Sequence, residues 1–599
     1  MITHKPNYSP VRKAALGVVF LIALVMSSLY LLRPVGDPDF FWHLKNGEVI
    51  WQNKSLPAED PFSYTMQGVS TRREHAVLTS YFLSQLAYYL AYAAGGMTGI
   101  VALRFVLVAL LVCVLIKRQE GDSVLNAGLI LIFLALFLTL YSVERPQFFS
   151  FLFFGILLFI LDGIKNNRFV SSKTICAAIL VSLLMILWAN THQGFVLGQV
   201  TILLYIVTEG LKYFSPRLRP LHREGYLRLT IAGISGILCS FVNPNTYRVW
   251  PELVFQPNLT IIDNIEYQSS VNAFMLFNQQ GVILYWLLLL LAIIGIFITA
   301  RKSDITDIAL VVGTGLFSFF TYRYIAIFAI AALPVIGRGF AGWRWSRIGT
   351  PLILVISVVA SLFFSRDAAS NIKNLTSTSW IDGAYPSNAA DFIVKNNLSG
   401  NMFNYYNWGG YMIWRLSPQR KVFVDGRCLS PDIVKKSILI ETAYNREVGG
   451  IPAWKALLRM YDVEYAVIPF AQPDGTLLPL VIALNKDREW YPVFLHLNSI
   501  IFVHDSPVNH GLILNYAIPK DHLVALMIRI CDEFIRSYPD DIFPLITKGD
   551  LYLSMFRLEE ARASYGKATA INPFNATARE RLHLLSRLSQ RERIGQTAP

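Results

Sequence analysis

The chain alternates between long apolar runs and short polar breaks from its start to about residue 365. It then changes to a mixed, water-compatible pattern. The apolar runs lie near 14–32, 99–116, 124–141, 148–163, 174–190, 194–213, 229–243, 281–300, 307–320, 323–338 and 350–365. An α-helix needs about 20 apolar residues to cross a bilayer, and several of these runs reach or approach that length. The pattern predicts a polytopic α-helical membrane protein of about 11 spans over 1–365. A soluble α/β domain follows at 370–515, and a helical tail at 516–599. A further apolar and aromatic segment, 76–98, belongs to the large first loop, 33–98, and reads as a helix lying on or dipping into the membrane.

Charge adds orientation. With the amino terminus in the cytoplasm, Lys5, Arg12 and Lys13 share a side with Lys117-Arg118, Lys165, Lys212, Arg223, Arg228, Arg301-Lys302 and Arg338. The opposite loops hold far fewer basic residues, as the positive-inside rule requires. The expected location is therefore a multi-pass inner (plasma) membrane, with the carboxyl-terminal domain extracytoplasmic. Treating 76–98 as a full span would invert every later loop and break this rule. The chain is 54% hydrophobic and 16% charged, with a formal charge of +13. That excess is largely a topology signal, and the apolar spans argue against a nucleic-acid partner. The five cysteines form no close-spaced pair, which predicts neither a disulfide framework nor a thiolate metal site.

With this topology the polar outliers fall on the outer side. The first loop holds Asp37, Asp39, His43, Asp60, Glu74 and His75. Other spans end at Glu144-Arg145-Pro146-Gln147, at Asn190-Thr191-His192, and at Tyr322-Arg323; the seventh-span loop carries Asp263, Glu266 and Tyr267. Arg104 lies near the outer end of the second span. Ionisable groups at membrane depth are costly and mark candidate sites. Singly, each reads as a loop charge, a helix cap or a local ion pair such as Glu144 with Arg145. Together they suggest one wet cavity. Arginine forks bind phosphate oxygens. Carboxylates and imidazoles can hold a divalent cation such as magnesium or manganese. A carboxylate near an acceptor can act as general base.

These residues resemble the GT-C superfamily of membrane glycosyltransferases. Its members carry acids in the first outer loop, here Gly36-Asp37-Pro38-Asp39. The stretches Phe41-Trp42-His43-Leu44-Lys45-Asn46-Gly47-Glu48 and Asp60-Pro61-Phe62-Ser63-Tyr64-Thr65 look like a bacterial branch. That branch's histidine-glutamate-tryptophan-leucine motif is replaced here by Glu74-His75-Ala76-Val77-Leu78. Gln147 stands where an acid often follows the arginine and proline. The resemblance implies transfer of a sugar from a polyprenyl-phosphate donor to a glycan, lipid or protein acceptor in the cell envelope. It implies Asp39 as base with Asp37 beside it. Arg145, Arg323, His192, Arg104 and His43 would bind substrate or phosphate, and Glu74, His75 and Glu144 a metal. Asp39 reads equally as a helix N-cap. Two other functions remain: a non-catalytic membrane assembly factor and a transporter of lipid-linked glycan.

In the tail domain, 401–405, 421–425, 465–469 and 499–503 read as strands. A helix is expected from Tyr385-Pro386-Ser387-Asn388 onward, capped by Ser387 or Asn388. Asn407-Trp408-Gly409-Gly410-Tyr411 is either an aromatic sugar contact or a tight turn into a helix. Asp425-Gly426-Arg427 is either a ligand-facing group or an internal ion pair. Residues 542–575 resemble one tetratricopeptide repeat through Gly549, Tyr552, Ala561, Tyr565, Ala568 and Pro573, flanked by helices near 520–538 and 576–588. That segment is either a docking surface for a protein partner or a cap on the α/β domain.

Overall fold

The computed structural model describes residues 10–68, 71–120, 123–141, 144–166, 174–215, 218, 220–248, 250, 265–276, 279–299, 304–341, 349–364 and 385–596. Asp263, Arg301, Lys302 and the chain from 365 to 384 lie outside them. The molecule divides into two units. The first comprises Met1–Glu59 and Ser70–Asp382, and the second Asp60–Val69 and Gly383–Pro599.

The first unit is a bundle of apolar helices. Among the described residues, six are long and apolar enough to cross a membrane: Phe82–Arg118, Ser123–Leu140, Gln147–Lys165, Phe195–Phe214, Val282–Thr299 and Tyr322–Phe340. Phe20–Leu32, Thr174–Ala189, Ile305–Phe320 and Leu354–Phe363 are shorter apolar helices. The core runs through Ser123–Leu140, Gln147–Lys165 and Ile325–Ala341, whose side chains are buried almost all round. A helix that is apolar on every face belongs inside a bundle.

The first-loop helices are fixed by polar contacts to the ends of the bundle. Phe40–Asn53 buries Phe40, His43, Gly47 and Ile50, a stripe at helical spacing. It packs on Phe82–Arg118 so closely that a Cβ at Gly47 would lie 2.1 Å from the Gln85 carbonyl oxygen. Asn46 donates to the Leu78 carbonyl at 3.1 Å and to Gln85 Oε1 at 2.8 Å. Arg72–Thr79 begins with a capping box between Thr71 and Glu74. The helix Phe82–Arg118 breaks at Gly95-Gly96, where Gly96 has φ 59°. A side chain disfavours that conformation, so the glycine pair lets the loop helix turn into the span. Leu83 N donates to Asn190 O, Ser84 Oγ to Thr191 O, and Asn245 Nδ2 to Thr79 Oγ1 and Ser80 Oγ. Tyr141 donates to the Tyr322 carbonyl at 3.0 Å, and Tyr322 donates to the Leu140 carbonyl at 3.0 Å. These bonds gather polar helix ends into one region.

The second unit is built on a four-stranded sheet in the order β1-β4-β6-β5, with β1 (Asn401–Asn404), β4 (Val463–Pro469), β5 (Trp490–His496) and β6 (Ser499–His504). β1 pairs parallel with β4, and the other pairs are antiparallel. The central strands β4 and β6 are buried along nearly their whole length, as strands covered on both faces are. A separate hairpin joins β2 (Glu447–Val448) to β3 (Ile451–Pro452).

Two sequence expectations change here, and one pair of alternatives is resolved. Residues 421–425 are not a ladder strand. Val422 forms an isolated parallel bridge with Ser63, its N–H donating to Phe62 O at 2.9 Å while its carbonyl accepts from Tyr64 N at 3.2 Å. The helix Ser387–Lys395 starts at Ser387 itself, after Pro386, with no side-chain cap bond. Trp408 and Tyr411 are buried, and a Cβ at Gly409 would meet the Val424 carbonyl at 2.3 Å. That stretch is a tight entry into the helix Gly409–Leu416, with no aromatic face left for a sugar.

The tail forms helices Lys520–Ser537, Phe543–Ser554, Leu558–Ile571 and Ala576–Gln596. Asp550 accepts from Tyr565 Oη at 2.6 Å and from Leu477 N at 3.0 Å, and Thr547 donates to Gly475 O at 2.7 Å. The tail thus packs on the loop that follows β4.

Candidate functional site

The site in the first unit is organised by Arg145, which stands just before the helix Gln147–Lys165. Each of its guanidinium nitrogens faces a different carboxylate. Nε donates to Asp37 Oδ2 at 2.5 Å, Nη2 lies 3.2 Å from Asp39 Oδ2, and Nη1 donates to Glu266 Oε1. Asp37 is buried and also accepts the Asp39 N–H at 3.0 Å through Oδ1. Proline between the two acids fixes its own φ, so the tight Asx turn places both carboxylates toward one side.

Asp39 precedes the helix Phe40–Asn53 but makes no side-chain cap bond. Its Oδ1 accepts from Trp42 Nε1 at 3.3 Å. Burial raises its pKa to about 6, with Asp37 and Glu266 adding to the rise and Arg145 opposing it. Desolvation penalises the ionised form, and neighbouring carboxylates do the same. A carboxylate in that range can both give and take a proton near neutral pH.

A cavity of about 260 Å³ lies beside this knot, lined by Arg33, Asp37, Tyr141, Arg145, Glu266 and Arg323 among others. Arg323 sits 3.8 Å from Glu266 Oε2 through Nε, and its Nη1 donates to Tyr267 Oη at 3.4 Å. Arg33 donates to Tyr30 Oη at 3.0 Å and to the Tyr141 carbonyl at 3.4 Å. Among the described residues it has no carboxylate within ion-pair distance. Arg33 and Arg323 therefore keep positive charge available at the cavity, whereas Arg145 is committed.

Arg104 and Glu144 are both buried and pair with each other at 2.5 Å. Arg104 Nη1 donates to the carbonyls of Leu31 at 3.1 Å and Arg33 at 2.7 Å. Arg104 thus holds the backbone where the first loop begins. Glu144 faces Arg104, not its chain neighbour Arg145.

The imidazoles form a second cluster. His43 Nδ1 is 3.1 Å from Gln85 Nε2, and its ring packs on Trp42 and Tyr81 at centroid distances of 3.5 and 5.3 Å. Tyr81 in turn touches His192 at 5.7 Å. His192 Nδ1 takes the Gly194 N–H at 3.0 Å and lies 2.7 Å from Ser150 Oγ, which accepts from Trp188 Nε1. A backbone N–H can only donate, so Nδ1 is the acceptor and Nε2 carries the proton. Burial, aided by the Arg323 charge, holds His192 well below the ordinary 6.5 and keeps it neutral.

The expected metal set does not assemble. Glu74 accepts the Thr71 N–H in its capping box, His75 is exposed, and Glu144 belongs to Arg104. Among the described residues no three His, Cys, Asp or Glu side chains are grouped to hold a metal ion. Of the sequence-predicted residues, Asp37, Asp39 and Arg145 come together directly, with Arg323 on the same cavity. Arg33 carried one signal in the sequence, its position directly after the first apolar run. Asp60 is not part of this site. It pairs with Arg427 in the second unit.

No protein-family model matches the chain, and no curated protein matches it in sequence. Solved structures do. One is the archaeal oligosaccharyltransferase AglB from Archaeoglobus fulgidus, in complex with an inhibitory peptide and a dolichol-phosphate. It is 12% identical, with 94% of this chain and 86% of that chain covered and a TM-score of 0.54. Another is the arabinofuranosyltransferase AftD from Mycobacteria, 14% identical, with 82% of this chain and 41% of that chain covered and a TM-score of 0.51. The chain spans less than half of AftD's length. At these identities the likeness is one of fold alone.

Proposed function

We propose that this chain transfers a sugar from a polyprenyl-phosphate donor to an acceptor at the outer face of the membrane. The observation that carries the reading is Asp39 beside Asp37 on Arg145, next to a cavity edged by Arg33 and Arg323. The fold supports it, since the structurally similar proteins are membrane glycosyltransferases. In this reading the chain lies in the inner membrane with its second unit extracytoplasmic.

The acceptor O–H or N–H gives its proton to the Asp39 carboxylate as the acceptor atom attacks the anomeric carbon. The bond from that carbon to the phosphate oxygen breaks, and its electron pair leaves with the lipid phosphate. Direct displacement inverts the anomeric centre. Arg323 and Arg33 neutralise the departing phosphate; Arg33, at the end of the first apolar helix, suits a headgroup whose tail stays in lipid. His192 offers its Nε2–H as a neutral donor. Asp37 and Arg145 position Asp39.

A divalent cation would need oxygen ligands. The carboxylates available, Asp37, Asp39 and Glu266, already face Arg145. The residues present do not fit a preformed cation site. The tetratricopeptide-like tail is assigned to capping the α/β domain, supported by its bonds to Gly475 and Leu477. The test is transfer of labelled sugar by detergent-purified protein from a synthetic polyprenyl-phosphate donor. Unchanged turnover in Asp39→Asn removes Asp39 as base and with it this mechanism.

A further inference from the structure

We infer that the Arg145 guanidinium occupies the position a divalent cation would take among Asp37, Asp39 and Glu266, so that this site works without a divalent metal. The inference rests on the reading of these residues as the transferase site.

Three features carry it. The first is stoichiometry of contact. One guanidinium presents Nε, Nη1 and Nη2, and each faces a different carboxylate. Asp37 and Asp39 come from the first loop, and Glu266 from the short turn Ile265–Tyr267. A hard cation draws carboxylate oxygens to about 2.0–2.6 Å around one point. Here the point toward which the three acids converge is filled by a planar cation covalently attached to the chain.

The second is charge. Three carboxylates face Arg145, with Arg323 beside Glu266. Three negative charges meet two positive ones, so most of the negative charge that would attract a dication is already compensated. Arg145 has no free fork for a phosphate, which leaves Arg33 and Arg323 for that task. The third is the neighbouring sequence. Gln147, two residues from Arg145, lines the same cavity with a neutral amide, which adds no carboxylate ligand and donates to the Arg323 carbonyl at 3.4 Å.

A fixed guanidinium does what a cation would do for the acids. It holds Asp37 and Asp39 apart and in register, and it lowers the cost of ionising Asp39. Unlike a metal, it offers no open coordination position to a donor phosphate.

Mn²⁺ binding to the detergent-purified full chain tests this without any donor, using the electron paramagnetic resonance signal of free Mn²⁺. The wild type is expected to bind no Mn²⁺ more tightly than about 1 mM, the weak end of oxygen-ligand sites. Arg145→Met frees the three carboxylates and is expected to tighten binding at least tenfold. Asp37→Asn added to Arg145→Met should abolish the gain. Stoichiometric Mn²⁺ uptake by the wild type that Asp37→Asn removes overturns the inference. A folded Arg145→Met that gains no binding also overturns it. If Arg145→Met does not fold, Arg145→Gln replaces it, and failing both, the wild-type titration decides alone. A second arm measures sugar transfer with excess chelator, where the rate should stay within twofold. No transfer under any condition, with the Mn²⁺ results as expected, would sink the proposed function and leave the Arg145 assignment standing.

Discussion

Arg427 and Asp60, separated by 367 positions in the chain, form a two-point ion pair in which both side chains are fully buried. Nη1 donates to Oδ1 at 2.6 Å and Nη2 to Oδ2 at 3.2 Å. Arg427 also binds Asp425 through Nε and Nη2, each at 2.7 Å, and Ser63 Oγ at 2.9 Å. Segment 60–69 is drawn from the first loop of the sequence, yet its anchors, Asp60, Ser63 and Tyr64, bond to the α/β core.

Asp60→Ala should destabilise the second unit by about 3–5 kcal/mol, because it leaves a buried guanidinium short of a counter-charge. Thermal unfolding of the purified full chain, followed by protease sensitivity of the second unit, measures it. Burial pushes the Asp60 pKa up, but Arg427 outweighs this and holds it below 3.8. Its contribution is therefore complete above the unfolded value and fades only as pH falls through the lower folded one. The deficit of Asp60→Ala should be flat at neutral pH and shrink only in strong acid.

Asp39→Asn should lower kcat by about 10²–10⁴, the usual range for loss of a general base. In the wild type, kcat/KM should rise with pH through about 6, the value to which Asp39 is raised, and that limb should vanish in the variant. His192 should add no limb near neutrality because its imidazole is held neutral.

The same substitution has an opposite effect on stability. The folded state binds the Asp39 proton more tightly than the unfolded chain does, so stability falls as pH rises from 3.8 to about 6. At pH 7.5 the ionised carboxylate costs stability, and neutral Asn relieves that cost. Tm should rise by about 1–3 °C at pH 7.5, with no gain in strong acid. The side chain is a quarter exposed, which keeps the effect small. A fall in Tm at pH 7.5 contradicts the placement of Asp39 in a desolvated acidic cluster.

Arg33→Met should raise KM for the lipid-phosphate donor about tenfold or more, the worth of one charge-assisted hydrogen bond, with Tm little changed. Arg104→Met should do the reverse. It leaves Glu144 buried without its partner and should lower Tm sharply. Steady-state kinetics and melting curves on both variants separate ligand binding from bracing. A KM unchanged in Arg33→Met removes it from the donor site.

Gly549→Ala tests the tail. Its Cβ would lie 2.3 Å from the Tyr565 ring, whose hydroxyl holds Asp550. Overpacking of this kind costs about 1–3 kcal/mol. Limited proteolysis should cut the tail first, while donor transfer stays at the wild-type rate.

The membrane character, the α/β region and the first-loop acids were legible from local pattern. Apolar runs carry their own signal, and Asp37-Pro38-Asp39 announces itself by two acids beside a span. The partners were not legible. Glu266 meets Arg145 across 121 positions, and no periodicity encodes such a pairing. β5 escaped the sequence because Pro492 argues against a strand. The structure places it at the sheet edge with a register shift between Pro492 and Phe494, where proline is tolerated. Residues 421–425 have strand composition but find their partner in 62–64, so reading them by composition gave the wrong element. Glu144 and Arg145, adjacent in sequence, serve different pairs, a separation set by the turn that precedes the helix Gln147–Lys165.

The ten residues 60–69 also bear on how such a protein can be built and rebuilt. The second unit is not a contiguous cassette that begins at 383. Expressed as 383–599, it would meet water with Arg427 and Asp425 stripped of Asp60, and Val422 without a backbone partner. Grafting this module onto another membrane scaffold means moving two stretches of gene together. A recombination event at its carboxyl-terminal boundary alone would leave a half-closed clasp on each product.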